Sequence, residues 1–352
     1  MDPLTQGTLG AVLPQAVAKR GKAGQVMLCG VSAGMAPDLD VLIRSSSDPL
    51  LFLEYHRQFT HSLPFIPLGA ALVGIFLWTL WGRRRGWTAS STYLYCFLGY
   101  ATHALLDACT TYGTLLWWPF SDQRFAWNSV SIIDPLFTVP LLLAVTLARW
   151  KDWRWPARLG LCWAIAYLTL GLLGRDAAQD AGWQLAAQRG HQPELIDAKP
   201  SFANIFLWKT IYRAGDRYYV DAVRLGANTR IYPGESIDAL NLERDLPWLD
   251  PASLQARDIE RFRWFSMGYL ALNPEQPNQI MDLRYSLLPN DIAPLWSIEL
   301  SPADQYARHV RYVTARDTSS ATLERFVRML RGQALLADAP SGQNRSNSAR
   351  PP

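Results

Sequence analysis

Long uncharged apolar stretches alternate with short charged segments along the first half of the chain. Ser62–Trp81 contains no charged residue, Gly86–Leu106 is interrupted only by His103, and Val130–Ala148 only by Asp134. A helix needs ~20 apolar residues to cross the hydrocarbon core of a bilayer. The pattern therefore predicts membrane helices rather than the buried helices of a large soluble core.

Two shorter apolar stretches add to these three, so we predict five membrane helices, at 24–43, 62–82, 90–111, 130–148 and 157–174. Leu4–Ala18 is apolar but punctuated by Gly and Pro, which leaves open whether it spans the membrane, re-enters it or lies at its surface. The total is thus five to six helices. The first residues lack the basic region and long apolar run of a cleavable signal peptide.

Basic residues orient these helices. They cluster at Lys19–Lys22, at Arg83–Arg85 and at Arg149–Arg158, whereas the intervening loops 44–61 and 113–129 contain few. Cytoplasmic loops are enriched in Lys and Arg. The asymmetry therefore predicts a multi-pass inner-membrane protein with the clusters in the cytoplasm and residues 176–352 in the periplasm.

The net charge of +4 argues against a nucleic-acid partner, because no basic run is longer than Arg83–Arg85. The membrane lipid bilayer is the partner that the composition indicates, and no protein partner is indicated. The four cysteines Cys29, Cys96, Cys109 and Cys162 fall within predicted helices and form no CxxC motif. We interpret them as small buried apolar residues.

The second half of the chain has a different pattern, which predicts a small α+β domain over 200–315. Ile205–Leu225 alternates aromatic and β-branched residues around a turn at Gly215, as hairpins do. We predict further strands at Gln279–Tyr285 and Leu295–Leu300 and a helix at Asp258–Leu272. The predicted domains are a membrane bundle at 1–175, an extracytoplasmic α+β domain at 176–336 that begins with a helical connection at 176–190, and a disordered tail at 337–352.

Polar residues occur in the predicted membrane helices, where a charged side chain costs ~2.5–3.5 kcal/mol at the helix centre. Under the predicted topology they all lie near the periplasmic face; they are Asp38, Asp40, His56, Arg57, His61, His103, Asp107, Asp122, Arg124 and Asp134. Independent structural uses would scatter over both faces. Their coincidence on one face predicts a functional site there.

Imidazole and carboxylate without thiolate suit a catalytic divalent metal that keeps open positions, with zinc first and manganese second. His103 and Asp107 are four residues apart and so project from one helix face. The expected ligands are Asp40, His56, His61, His103 and Asp107. His191 and His309, isolated in the second half, are expected at the surface.

Several motifs of residues 1–150 resemble a known family in their order: Met1–Gly7, Pro37–Asp40, His56–Leu63, His103–Asp107 and Trp118–Asp122. This series is similar to the bacterial inner-membrane family of predicted metal-dependent hydrolases, the YdjM-like family. The family pattern has Thr-His where this chain has Thr5-Gln6, so one family ligand is replaced here. The HxxxD spacing is also similar to that of zinc-dependent phospholipases C and nucleases.

The leading hypothesis is a metal-dependent hydrolase acting at the periplasmic face, and the position of the site at headgroup depth favours a lipid or phosphoester substrate. Asp38 or Asp134 would then accept a proton as general base, and Arg57 and Arg124 would offer forked donors to a phosphate. Two alternatives stay open. One is a transporter with an intramembrane ion relay, and the other is a non-catalytic membrane anchor with a structural metal.

Overall fold

The computed structural model describes residues 1–335 and shows a helical region followed by a sheet-containing region. The predicted disordered tail, 337–352, lies outside the described residues. The helices of the first region are α1 Pro3–Val17, α2 Ala23–Met35, α3 Leu51–Tyr55, α4 Ile66–Leu77, α5 Ala89–Ala108, α6 Pro135–Lys151 and α7 Arg154–Gln188. A 3-10 segment, Ala36–Leu42, continues α2, and α4 continues as helical turns to Arg85.

Helix α1, whose placement the sequence left open, is the centre of the bundle. It begins at Pro3 because the Asp2 side chain accepts a hydrogen bond from the Thr5 amide. It packs against α2, α5, α6 and α7. Close packing against α2 requires glycine: a Cβ on Gly34 would lie 2.6 Å from the Gln6 carbonyl oxygen. The contact fixes the position of Gln6 relative to α2.

Two stretches of the described residues are long and apolar enough to cross a membrane, Leu63–Arg85 and Arg154–Gln188. The helices α2 and α6 have only 13 and 17 residues. Both candidate stretches expose large apolar side chains, such as Leu72 on α4 and Leu159 on α7. The number of crossings therefore stays a prediction at five to six.

The two ends of the bundle differ in charge. Lys22, Arg85 and Arg149 line one surface pocket, and Lys19, Arg20 and Arg154 line another. We call this the basic end. The loops 44–61 and 113–129 lie at the other end, because consecutive long helices run antiparallel. The predicted segregation of basic clusters from these loops is thus present in the fold.

Helix α7 links the two regions without a break. It runs for 35 residues, straight through the predicted domain boundary between residues 175 and 176, and contains most of the predicted helical connection. Its first half packs against the bundle, where Gly171 lies against the Ser129 carbonyl. Its second half packs against the first sheet through small residues such as Gly182, which faces Ile196.

The second region holds two antiparallel sheets. The strands are β1 Ile196–Pro200, β2 Leu207–Ala214, β3 Arg217–Arg224, β4 Arg230–Tyr232, β5 Ser236–Asp238, β6 Leu270–Asn273, β7 Gln276–Asp282, β8 Trp296–Glu299 and β9 Arg311–Thr314. The first sheet has the order β1-β2-β3-β4 with β5 also paired to β3, and the second has the order β6-β7-β8-β9. The predicted hairpin is present as β2 and β3.

Helices of this region are α8 Leu242–Asp245, α9 Leu254–Phe265 and α10 Ser320–Leu330. The prediction of one helix over Asp258–Leu272 was wrong in its second part. Met267 and Gly268 both have positive φ, 55° and 85°, which ends a helix. The chain then turns into strand β6.

Two further interpretations need correction. Cys29, Cys96 and Cys109 are buried as predicted, whereas Cys162 is exposed on α7. His191 and His309 were expected to be isolated at the surface, but both are half-buried and each contacts a polar side chain. The Nδ1 atom of His191 lies 2.9 Å from the Tyr212 hydroxyl, and that of His309 lies 2.9 Å from Asp258 Oδ2.

Candidate metal centre

Six of the predicted site residues come together where α2, α5 and the segment before α4 meet. Asp38, His61, His103 and Asp107 form one group and Asp38, Asp40 and His56 a second, each with its ligand atoms within 4.8 Å of one another. His61, His103 and Asp107 are fully buried. Residues separated by up to 69 positions in the sequence thus converge on one small volume.

Four donor atoms of the first group surround a common point. The Nε2 atoms of His61 and His103 are 2.8 Å apart, and Asp38 Oδ1 lies 3.4 Å from each of them. Asp107 Oδ2 is 3.3 Å from His61 Nε2. Four ligands at ~2.0–2.1 Å from a tetrahedral zinc would be ~3.3 Å apart. The spacing therefore fits a divalent metal.

The hydrogen bonds of His103 fix which nitrogen faces the centre. Its Nδ1 lies 2.6 Å from the Gly34 carbonyl oxygen, which only accepts. The Nδ1 atom therefore carries the proton, and Nε2 presents its lone pair to the centre. The absence of a side chain at Gly34 allows α1 and α2 to pack closely at this position.

Asp40 orients both remaining imidazoles. Its Oδ1 lies 2.7 Å from His56 Nδ1, and its Oδ2 lies 3.2 Å from His61 Nδ1. The Thr60 hydroxyl donates to the same Oδ2, at 2.9 Å. A carboxylate behind a histidine fixes its tautomer and strengthens it as a metal ligand. In the first group, Asp40 therefore acts on a ligand rather than as one.

His56 lies at the edge of the centre, with 18% of its side chain exposed. Burial lowers its pKa below the usual 6.5, so its imidazole is neutral at pH 7. Neutral imidazole is the form that binds a metal. His56 is therefore suited to ligation in the second group.

Asp107 presents one of its two carboxylate oxygens to the centre. Its Oδ2 is buried and has no hydrogen-bond partner, whereas its Oδ1 accepts from Gln6 Nε2 at 2.7 Å and from the amino group of Met1. A buried carboxylate oxygen without a donor is costly. Gln6, which replaces the histidine of the family pattern, thus borders the centre and holds Asp107.

Arg57 has a different position from the one that the phosphate hypothesis requires. Its Nε lies 2.9 Å from Asp107 Oδ2 as an ion pair without hydrogen-bond alignment. Its Nη1 donates to Thr110 Oγ1 at 2.8 Å, and the guanidinium lies 4.6 Å from the Tyr112 ring centroid. The backbone of Arg57 has φ 65°, a strained conformation that such sites retain. Arg57 therefore holds Asp107.

Asp134 is the predicted site residue with the clearest structural role elsewhere. Its Oδ1 accepts from the amides of Leu136 and Phe137 at the start of α6, and its Oδ2 accepts from the Tyr167 hydroxyl at 2.8 Å. It belongs to neither ligand group among the described residues. The Asp-Pro sequence marks a helix cap here, so we do not retain Asp134 as the base.

Arg124 and Asp122 lie at the boundary between the two regions. Arg124 is buried, donates to the Gly113 carbonyl oxygen at 2.9 Å and lies 4.8 Å from the Trp264 ring centroid on α9. Asp122 lines a surface cleft that Trp264 also lines. Neither residue belongs to a ligand group among the described residues.

The sheet-containing region packs over one side of the centre. Tyr112 lies between His56 and Phe265, with ring centroids 5.6 and 5.0 Å away. Arg261 of α9 forms ion pairs with Asp48, at 2.8 Å, and with Glu54. Tyr112, Arg261 and the contact of Gln6 with Asp107 were not predicted from the sequence. Only the Thr-Gln substitution in the family pattern signalled the last of them.

Comparison with known proteins identifies one family. The model of the family described as YdjM inner membrane protein matches residues 1–178. The chain is 33% identical over 115 residues to "Inner membrane protein YbcI" of Escherichia coli, covering 31% of this chain and 62% of that protein. It is 24% identical over 125 residues to "Uncharacterized protein YfhP" of Bacillus subtilis, covering 36% and 37%. No solved structure matches.

Proposed function

Because the chain belongs to the YdjM inner membrane protein family, we propose that it is a membrane-bound metal-dependent hydrolase with its active centre at the periplasmic face. The observation that carries this proposal is the convergence of four donor atoms, one of which, Asp107 Oδ2, is buried without a hydrogen bond. The matched relatives share only 37% and 62% of their lengths with this chain, and neither printed name states an activity.

Asp38, His61, His103 and Asp107 would hold the ion, with His56 and Asp40 beside them. Their nitrogen and oxygen donors suit zinc first and manganese second. A divalent ion bound there supplies Lewis-acid activation of water and of the scissile group. The fully buried members fix the geometry, and the ion pair of Arg57 with Asp107 keeps that carboxylate in place.

We assign Asp38 the proton-accepting role in addition, through the carboxylate oxygen other than the Oδ1 that faces the two histidine nitrogens. It is the only carboxylate of the two groups with an exposed side chain, at 20%, whereas Asp40 and Asp107 are buried. A base must reach the water whose proton it takes. His56, which is also partly exposed, is the second residue at this open edge.

One observation favours the alternative of a non-catalytic anchor. Structural zinc sites are closed by four protein ligands, and the first group supplies four. The second group, with the exposed edge at Asp38 and His56, argues for the catalytic function instead, because a structural ion needs no exposed edge.

The experiment is a hydrolysis screen of the full-length protein purified in detergent. Phosphoesters, carboxylic esters and amides are offered to the zinc-loaded and manganese-loaded protein, with and without a chelator. We expect metal-dependent turnover of a phosphoester that His103→Ala abolishes and His309→Ala retains. If the fully metallated protein hydrolyses none of these compounds, the anchor becomes the better description.

A further inference from the structure

The open edge of the metal centre adjoins exposed apolar side chains. Asp38 and His56 are its exposed members, at 20% and 18% of the side chain. Next to Asp38 in the 3-10 segment, Leu39 is 64% exposed and Leu42 is 76% exposed. Residues three apart lie on the same side of a 3-10 helix. The two leucines therefore form one apolar edge, which we call the leucine edge.

The leucine edge is continuous with the surface that we assign to lipid. The 3-10 segment that carries it packs against α4, and α4 exposes Leu68 and Leu72 along its length. The segment also follows directly from Met35, another exposed apolar residue. Exposure of such side chains to water is unfavourable relative to burial in an apolar environment. A bilayer leaflet removes this cost.

A second approach to this end of the bundle is a cleft that Tyr55 and Gln58, on either side of His56 and Arg57 in the sequence, help to line. Its volume is ≈ 600 Å³, and it opens between α3 and α9, where Glu54, Arg257 and Trp264 are among its lining residues. It is lined by no member of the two ligand groups. Access along the leucine edge therefore fits the geometry of the centre better than access through this cleft.

We propose that the substrate is an amphiphilic phosphoester of the surrounding leaflet, whose hydrocarbon chain lies on the leucine edge while its phosphate reaches the centre past Asp38 and His56. This inference rests on the proposed function. In the reaction, the oxygen of a water molecule bonds to phosphorus, the ester P–O bond breaks, and the lipid alcohol leaves with a proton. The products are that alcohol and the phosphate.

The first experiment measures lipid contact without activity. In full-length protein with Cys162→Ser, reconstituted in phosphatidylethanolamine and phosphatidylglycerol vesicles, a nitroxide is attached at Leu39→Cys or Leu42→Cys. Its collisions with oxygen and with a water-soluble nickel chelate are compared. Leu159→Cys on α7 and Leu195→Cys, which precedes β1, are matched controls with 68% and 63% exposure.

We expect labels at residues 39 and 42 to favour oxygen as strongly as the label at 159 does. Labels that collide with the nickel chelate as often as the label at 195 would overturn the leaflet route, whatever the enzymatic activity.

The second experiment compares two probes with the same phosphomonoester, phosphatidic acid in mixed micelles and glycerol 3-phosphate, which has no chains. We expect Leu39→Asn combined with Leu42→Asn to lower the ratio of kcat/KM for phosphatidic acid to that for glycerol 3-phosphate about tenfold, from lost apolar contact. Leu159→Asn should leave the ratio unchanged.

An active wild-type protein with equal kcat/KM for both probes, unaffected by the leucine changes, would overturn the substrate class and leave the hydrolase intact. Inactivity of the metallated wild type toward both probes, with turnover of another compound in the hydrolysis screen, would also overturn the substrate class. Inactivity toward every compound of that screen would overturn the hydrolase itself.

Discussion

The Nε2 atoms of His61 and His103 face each other at 2.8 Å in the buried centre. The Nδ1 proton of His103 is engaged by the Gly34 carbonyl, and that of His61 by Asp40 and Thr60. A divalent cation bound by both Nε2 atoms would accept the two lone pairs that face each other when each Nδ1 holds the proton. This relationship makes metal content the first property to measure.

We expect His61→Ala and His103→Ala each to remove most of the bound metal, because each deletes one of the two buried nitrogen ligands. Elemental analysis of the detergent-purified protein checks this. His191→Ala is the matched control and should retain the metal, because the His191 imidazole contacts Tyr212 and no member of the centre. Wild-type metal content in both centre variants would contradict the assignment.

Asp40→Asn tests the carboxylate behind the histidines. The substitution keeps the shape of the side chain but removes the charge that orients His56 and His61. We expect metal affinity to fall ~10–100-fold, as such outer-shell changes do, in a competition titration against a chelator. Asp134→Asn makes the same change at a helix cap and should leave affinity unaltered. Equal affinities in the two variants would show that Asp40 has no special role.

Gly34→Ala tests the close approach of α1 and α2. Its Cβ would lie 2.6 Å from the Gln6 carbonyl oxygen, so the helices must separate. We expect a lower thermal midpoint together with reduced metal content. Gly24→Ala, in the same helix, adds a Cβ that meets only Arg149 at 3.7 Å and should be neutral or stabilising. Identical behaviour of the two variants would contradict the packing argument.

Lys209 predicts a pH dependence of stability in the sheet-containing region. Burial lowers its pKa from 10.5 to about 7. Between these values the unfolded chain binds more protons than the folded one, so stability rises as the pH increases. The thermal midpoint of the full chain, followed by the circular dichroism of its strands, should increase from neutral to alkaline pH. Lys209→Met should remove this lysine's share of the increase; an unchanged pH profile would exclude it.

The periplasmic position of the second region is open to a direct test. A fluorescent protein that matures only in the cytoplasm should be dark when fused after residue 335 and bright when fused after Arg85. Bright fusions at both positions would place the sheet-containing region in the cytoplasm, on the same side as the basic end, and would contradict its periplasmic position. A dark fusion after Arg85 would reverse the orientation.

Much of the site was predictable because its signal is local. The spacing of His103 and Asp107 puts both on one face of any helix, and the structure has them on α5. The clustering of charged residues at one end also followed from the sequence. The hairpin at Gly215 was predictable for the same reason, since its alternation and turn lie within a few residues.

The roles within the site were not predictable, because they depend on contacts between distant segments. Whether Asp40 ligates a metal or orients a histidine depends on distances across the fold. Asp134 shows the same limit. An Asp before a Pro looks alike in the sequence whether it caps a helix or serves as a polar site residue in a membrane. Tyr112 carries no polar pattern, yet it connects His56 to Phe265.

Because α7 is one continuous helix, it joins the helical region to the first sheet rigidly. Its 35 residues measure ~52 Å at 1.5 Å per residue, whereas the hydrocarbon core is ~30 Å thick. In the predicted topology, in which α7 crosses the bilayer, about 20 Å of the helix therefore extends beyond the hydrocarbon core and sets both the distance of the first sheet from the membrane and its orientation. One residue inserted into this part of α7 would move the first sheet ~1.5 Å along the helix axis and rotate it ~100° about that axis. Arg261 would then move away from Asp48, and the sheet-containing region would lose its alignment with the centre.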